Sequence, residues 1–328
     1  MTVPPATALS DRVDGRKARR AWFVEQLATQ GSIVAFVLWI IFLCFATSTF
    51  ATTDNVMIVL RQAAIYSIVA IGITLVMLLG ELDISFGSAL AMGGCAGASA
   101  LVAGHGVLLA VLAAIGAGLA FGLVNALLIN YLRIPSVVAT LATLGAGAGL
   151  ALLLTGGSTI YGAGLDDVAF LTQGYIAGVP LPVLIAVAMY LIAWFVLVRT
   201  PWGAHLYAAG DNPQAAFRSG INVRRIRIVA FVTAGALAGF AGLLLASRLG
   251  RASADMGADA LFPVLTAVIL GGVSIEGGRG RVLNTLVASV FLASITNGLI
   301  LLGVDSTVQQ IVQGGVLVLA VSLDRLRR

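Results

Sequence analysis

The sequence predicts an all-α polytopic membrane protein of about ten transmembrane helices with both termini in the cytoplasm. Three observations carry that prediction. Of 328 residues, 59% are hydrophobic and only 10% charged, with a mean hydropathy of +1.04, and apolar runs reach the roughly 17–25 residues that cross a bilayer as helix. Glycine is abundant, at 39 residues, and the spaced pairs Gly93/Gly97, Gly118/Gly122, Gly145/Gly149 and Gly235/Gly239 suit helices that approach closely in lipid. The arginines gather at alternate ends of the apolar runs, the positive-inside pattern.

Residues 1–32 form a polar tail carrying Arg12, Arg16, Lys17, Arg19 and Arg20, and the apolar run 33–50 follows. A tail this long, with further spans behind it, reads as an uncleaved first span rather than a signal peptide. The transmembrane domain is 33–328, with further spans at about 58–79, 87–103, 107–131, 137–155, 180–198, 228–248, 261–276, 282–302 and 308–323. Threading them from a cytoplasmic N-terminus puts Arg133, Arg199, Arg218, Arg224, Arg225, Arg227, Arg279, Arg281 and the C-terminal arginines on one side. Asp54, Asp166, Asp167, Asp255, Asp259 and Asp305 fall on the other, with Arg61, Arg248 and Arg251 as exceptions. The weakest span is 261–276, which is short and has Pro263 near its start.

Two Gly-flanked polar breaks interrupt the apolar pattern, at 79–87 and 270–280. Each follows a Leu-rich span and precedes a small-residue one. They read equally as tight turns or as a weak internal repeat of the kind from which transporter pathways are built. Glu81 and Asp83 bear on the choice, because carboxylates near membrane depth face a cavity, a partner charge or water. On the same argument Ser85, Asn125, Asn297 and Gln309 join them as substrate-pathway candidates facing the inside of the bundle.

A third interruption, 201–222 within the cytoplasmic loop 199–227, is rich in alanine and turn signals and reads as a handle for a partner protein. Asn212 is placed to cap a short helix that Pro213 opens, and the small pair Ala215/Ala216 allows a groove to approach closely. Gly220 is expected at positive φ, where it turns the chain back towards the next span.

Several chemistries are excluded. The only lysine is Lys17, preceded by Arg16, so the chain has no Walker A loop. Cys44 and Cys95 lie in separate apolar stretches, and His105 and His205 have no ligand-spaced partner, so metal and redox sites lack support. The pI of about 9.7 reflects arginines beside apolar spans, which argues against nucleic acid as a partner and for membrane lipid.

The stretch from Gly203 through Ala208-Ala-Gly210-Asp-Asn212-Pro-Gln-Ala215-Ala216-Phe-Arg-Ser219-Gly220, continuing into Thr233-Ala-Gly-Ala-Leu-Ala-Gly-Phe-Ala-Gly-Leu243, resembles the permease subunits of bacterial ABC sugar importers of the ribose/xylose/arabinose/galactose type. So do Gly80-Glu-Leu-Asp-Ile-Ser-Phe-Gly-Ser88, Asn125-Ala-Leu-Leu-Ile-Asn-Tyr-Leu-Arg-Ile-Pro135 with the Val-Ala-Thr-Leu-Ala-Thr-Leu that follows, and Ala267-Val-Ile-Leu-Gly-Gly-Val-Ser-Ile-Glu-Gly-Gly-Arg-Gly280. The resemblance implies a multi-pass protein of the bacterial inner membrane that works as a homo- or heteromeric permease dimer. It also implies a cytoplasmic ABC ATPase pair and a periplasmic or lipid-anchored binding protein that delivers a pentose or hexose. Gln214-Ala-Ala-Phe-Arg-Ser-Gly220 is similar to the element that docks into the ATPase, with Gln in place of Glu, so the resemblance implies ATPase coupling through Gly210, Asp211, Asn212, Gln214, Ala215, Ala216 and Gly220. Glu81 stands where the resemblance leads one to expect Gly, and the sequence leaves open whether it tunes substrate choice or sits in the turn. The competing reading is an ion-coupled secondary transporter that titrates Glu81 and Asp83 and needs no partner.

Overall fold

The computed structural model describes residues 36–326; the polar tail 1–32 lies outside the described residues. Helices α1 (Phe36–Ala46), α2 (Thr53–Leu78), α3 (Phe86–Val102), α4 (Val107–Tyr131) and α5 (Ser136–Thr155) come first. A 3-10 turn (Ala163–Val168), the short α6 (Ala169–Gln173) and a two-stranded antiparallel hairpin (Tyr175–Ile176 with Val179–Pro180) lead to α7 (Leu181–Arg199). Then come α8 (Pro201–Asp211), α9 (Pro213–Arg218), α10 (Val223–Leu249), α11 (Leu261–Leu270), α12 (Val282–Leu301) and α13 (Ser306–Leu326).

Six of these, α2, α4, α5, α7, α10 and α12, are long and apolar enough to cross a membrane. The other expected spans fall on the shorter apolar helices α1, α3 and α11 and on the apolar part of α13, Ser306–Ser322. The expectation of a span over 261–276 is corrected. Helix α11 ends after 10 residues, about 15 Å of rise against a hydrocarbon core of roughly 30 Å, because Gly272 takes φ +84° and turns the chain out of the helix. The single short helix expected in the central loop is two, α8 and α9.

The core is built around α10, which packs on α4, α3 and α2. Glycine makes this packing close: a β-carbon at Gly118 of α4 would overlap the backbone of Gly235 on α10, and one at Gly93 of α3 would overlap Gly239. Helix α2 is buried from Ala63 to Leu78 almost without a break. By contrast α5 and α7 expose large apolar side chains, with Leu153 80% and Ile192 64% exposed, the pattern of helices that meet lipid. Two of the arginines that broke the charge asymmetry have local partners. Arg61 stacks 4.8 Å over the Tyr175 ring and reaches the Gln173 carbonyl, and Arg248 lies near Tyr66.

Candidate functional site

The two polar breaks, far apart in sequence, meet at one place beneath α8. Helix α2 ends at Leu78, whose carbonyl accepts the Gly278 N–H at 2.9 Å. A β-carbon at Gly80 would lie 2.8 Å from the Glu276 carbonyl oxygen, and one at Gly277 would lie 2.6 Å from Gly80 N. Gly210 of α8 closes the junction from above, where a β-carbon would overlap the Leu78 carbonyl oxygen. Tyr207, one turn back along α8, donates from its hydroxyl to the Gly280 carbonyl at 2.9 Å. Burial raises the Tyr207 phenol above its ordinary pKa, so it remains a donor.

Beyond the junction α8 and α9 face outward. Thr200 caps α8 and Pro201 opens it; Asn212 caps α9, its side chain accepting from Gln214 N at 3.1 Å and Ala215 N at 3.0 Å. The turn after α9 ends at Gly220 with φ +86°, as its sequence context predicts. Of the residues read as coupling elements, Asp211, Asn212, Gln214, Ala215 and Gly220 are exposed. Gly210 is buried in the junction and Ala216 is only 4% exposed, packed against its own chain. Exposed at 73%, Phe217 went unnoticed in the sequence because a lone aromatic in a polar loop carries no periodic signal.

The first break is also tied sideways by a buried chain of side-chain hydrogen bonds. Thr143 of α5 donates to Asn125 Oδ1 at 2.6 Å, Asn125 Nδ2 donates to Ser85 Oγ at 2.7 Å, and Ser85 Oγ donates to Asp83 Oδ1 at 2.6 Å. Ser85 N donates to the same carboxylate oxygen at 2.8 Å. Every donor runs in one direction, and the chain ends on the one acceptor-only group. Ser136 Oγ accepts from Leu82 N at 3.1 Å, and Thr140 Oγ1 lies 3.3 Å from the Leu82 carbonyl. Thus Asp83, Ser85 and Asn125 come together as one unit. Thr140 and Thr143, which complete it, were visible only as part of a Thr-containing apolar stretch.

Glu81 points elsewhere. Its carboxylate pairs with Arg227 of α10 at 2.7 Å, and Arg227 also donates to Asn130 Oδ1 at 2.7 Å. The pair joins the break to the α4 and α10 ends. Asn297 of α12 is buried but separate, exchanging hydrogen bonds of 3.0 and 2.8 Å with Asn55 of α2. Gln309 is half-buried and donates to the Val304 carbonyl at the start of its own helix. Neither joins the Asp83 unit.

The family described as "Branched-chain amino acid transport system / permease component" matches residues 55–321. The chain is 36% identical to the ribose import permease protein RbsC of Bacillus subtilis, over 94% of this chain and 96% of the relative. It is 35% identical to the RbsC protein of Escherichia coli K12, over 96% and 98%. The D-allose transport system permease protein AlsC of the same strain is 32% identical, over 89% and 90%. No solved structure matches the chain.

Proposed function

The chain belongs to the branched-chain amino acid transport system permease component family, and we propose that it is the membrane permease subunit of an ATP-binding-cassette importer for a monosaccharide. Its relatives, permeases named for ribose, allose, arabinose and xylose, favour a pentose or hexose over an amino acid. In this reading the chain crosses the bacterial inner membrane about ten times, the crossing that contains α11 being only partly helical, with both termini and 199–227 in the cytoplasm. A non-catalytic permease of this kind works with cytoplasmic ATPase subunits, a second permease and an extracytoplasmic sugar-binding protein.

One observation carries the mechanism: α8 bears an outward helix, α9, and is seated by Gly210 and Tyr207 directly on both breaks. A partner that grips Asp211, Asn212, Gln214, Ala215 and Phe217 therefore pulls on the ends of α2 and α11 at once. We assign coupling to that exposed face, with the buried Gly210 and Ala216 supporting it from behind and the exposed Gly220 setting the turn that ends it. Asp83, Ser85 and Asn125 transmit the motion of the first break to α4 and α5, and Asn297 fixes α12 to α2. Glu81 belongs to this set as the strut to Arg227, while Gln309 remains a candidate for the pathway wall. An ion-coupled carrier would titrate Glu81 and Asp83 together; here they hold different partners, Arg227 and Ser85.

The test is sugar uptake into vesicles holding the permease, its ATPase and its binding protein. The expected result is uptake that needs ATP and all three components. Uptake driven by a proton or sodium gradient without the ATPase would instead establish the carrier. A Cys at Ser219 in a Cys-less background is expected to resist an impermeant thiol reagent in intact cells, and rapid labelling there would reverse the topology.

A further inference from the structure

A cavity of about 600 Å³ runs along α5 from Leu144 to Thr155, between α3 and the loops that follow α5 and α10. Its size falls in the roughly 300–1,000 Å³ range of small-molecule sites. It is a built feature. Ile160 N donates to the Ala252 carbonyl at 2.8 Å and Ala252 N to the Ile160 carbonyl at 3.0 Å, so the two loops are stapled to each other. The second loop is seated on α3 at Gly257, where a β-carbon would overlap the Gly87 carbonyl oxygen. Ser88 in the cavity wall lies three residues beyond Ser85 of the buried hydrogen-bonded chain.

Three hydroxyls of this wall donate to backbone. Ser88 Oγ donates to the Leu144 carbonyl at 2.7 Å, Thr155 Oγ1 to the Leu152 carbonyl at 3.2 Å, and Ser158 Oγ to the Thr155 carbonyl at 3.0 Å. With each proton spent on backbone, the oxygens retain only accepting capacity. Asp255, also in the wall, is acceptor-only when ionised and, among the described residues, takes part in no ion pair. No arginine or lysine lines the cavity. The remaining lining adds the Thr159 and Ser253 hydroxyls to apolar side chains such as Ala148, Leu152 and Leu261.

We propose that this cavity is a way-station for a neutral polyol, in which substrate hydroxyls donate to Ser88, Thr155, Ser158 and Asp255. The inference rests on the permease reading and deepens it. A surface of neutral hydroxyls that carries one negative charge and no positive one favours a neutral ligand rich in O–H groups. It disfavours sugar phosphates and uronates, whose anionic oxygens would face other acceptors and the Asp255 carboxylate. The cavity therefore filters by charge, while leaving the choice among neutral sugars to another component.

The test uses the complete importer in vesicles, with labelled D-ribose, D-allose, L-arabinose and D-xylose as probes and co-purification of the ATPase as the assembly check. Asp255→Asn is expected to lower uptake about tenfold, the scale of one charge-assisted hydrogen bond, with Asp255→Glu restoring most of it. Ala148→Trp, which fills the cavity, is expected to abolish uptake while ATP hydrolysis stimulated by loaded binding protein persists. A second arm reads the cavity without transport: Ser158→Cys, with Cys44 and Cys95 replaced, is expected to react about tenfold faster with a cationic than with an anionic methanethiosulfonate. Adding Asp255→Asn is expected to erase that preference. Uptake by assembled Asp255→Asn and Ala148→Trp complexes within twofold of wild type, or equal rates with both reagents, would overturn the proposal. A wild-type complex that imports none of the four sugars refutes the permease reading instead, and the reagent rates still decide the cavity's polarity.

Discussion

The two breaks meet at one junction but are held by opposite means. The break after α2 is fixed by side chains: Asp83, Ser85, Asn125 and Thr143 form one buried chain, and Glu81 adds an ion pair at its edge. The break after α11 is held chiefly through backbone. Gly277 and Gly278 take positive φ and lie so close to Gly80 and Asp211 that no β-carbon fits, and Leu78 and Tyr207 bond directly to its main chain. A segment fixed by side chains can be retuned by substitution at several positions, whereas one fixed by backbone proximity tolerates almost none. The difference also separates roles: the first break has links across to α4 and α5, and the second packs under α8.

Substitutions break the comparison in a definite order. Gly210→Val and Gly278→Ala force backbone apart at the junction and are expected to destabilise by about 3 kcal/mol each, read as a fall in the thermal midpoint in detergent and as lost uptake. A Gly278→Ala protein with wild-type stability would mean the second break is not held by close approach. Asn125→Leu removes two buried side-chain hydrogen bonds, from Thr143 and to Ser85, at a cost of about 2 kcal/mol. It is expected to spare ATPase co-purification, because its bonds lead to α4 and α5 rather than to α8. Tyr207→Phe removes one hydrogen bond to Gly280 and is expected to cost about 1 kcal/mol, with the larger effect on uptake if α8 drives the second break. Glu81→Gln weakens a pair that retains solvent contact, so a loss below about 1 kcal/mol is expected from unfolding curves.

How much of this was legible depended on whether the signal was local. Long helices α2, α4, α5, α7, α10 and α12 could be drawn because apolar length is a local property. The caps at Asn212 and the turn at Gly220 were legible for the same reason, since both obey short-range backbone rules. Helix α11 was overdrawn because its expected span ran on into the polar break at 270–280, where Gly272 turns the backbone away. The meeting of the two breaks under Gly210 joins three segments across almost 200 positions, and no periodicity encodes such a contact. Ala215 and Ala216 looked interchangeable as a small pair, yet the helix puts one outward and the other inward. Asn297 and Gln309 were grouped with Asp83 by polarity alone; their neighbours in space are Asn55 and Val304.

The central claim is that a partner ATPase moves this permease through the outer face of α9. Ala215→Arg tests it most directly, because Ala215 is exposed and Ala216 is not, so the change alters the docking face without disturbing the fold. The measurement is ATPase co-purification with wild-type and Ala215→Arg permease, with sugar uptake followed in parallel and the thermal midpoint as the folding control. The expected result is an unchanged midpoint, a loss of the ATPase from the purified complex, and uptake reduced to background. Full co-purification and full uptake with arginine at 215 would contradict it.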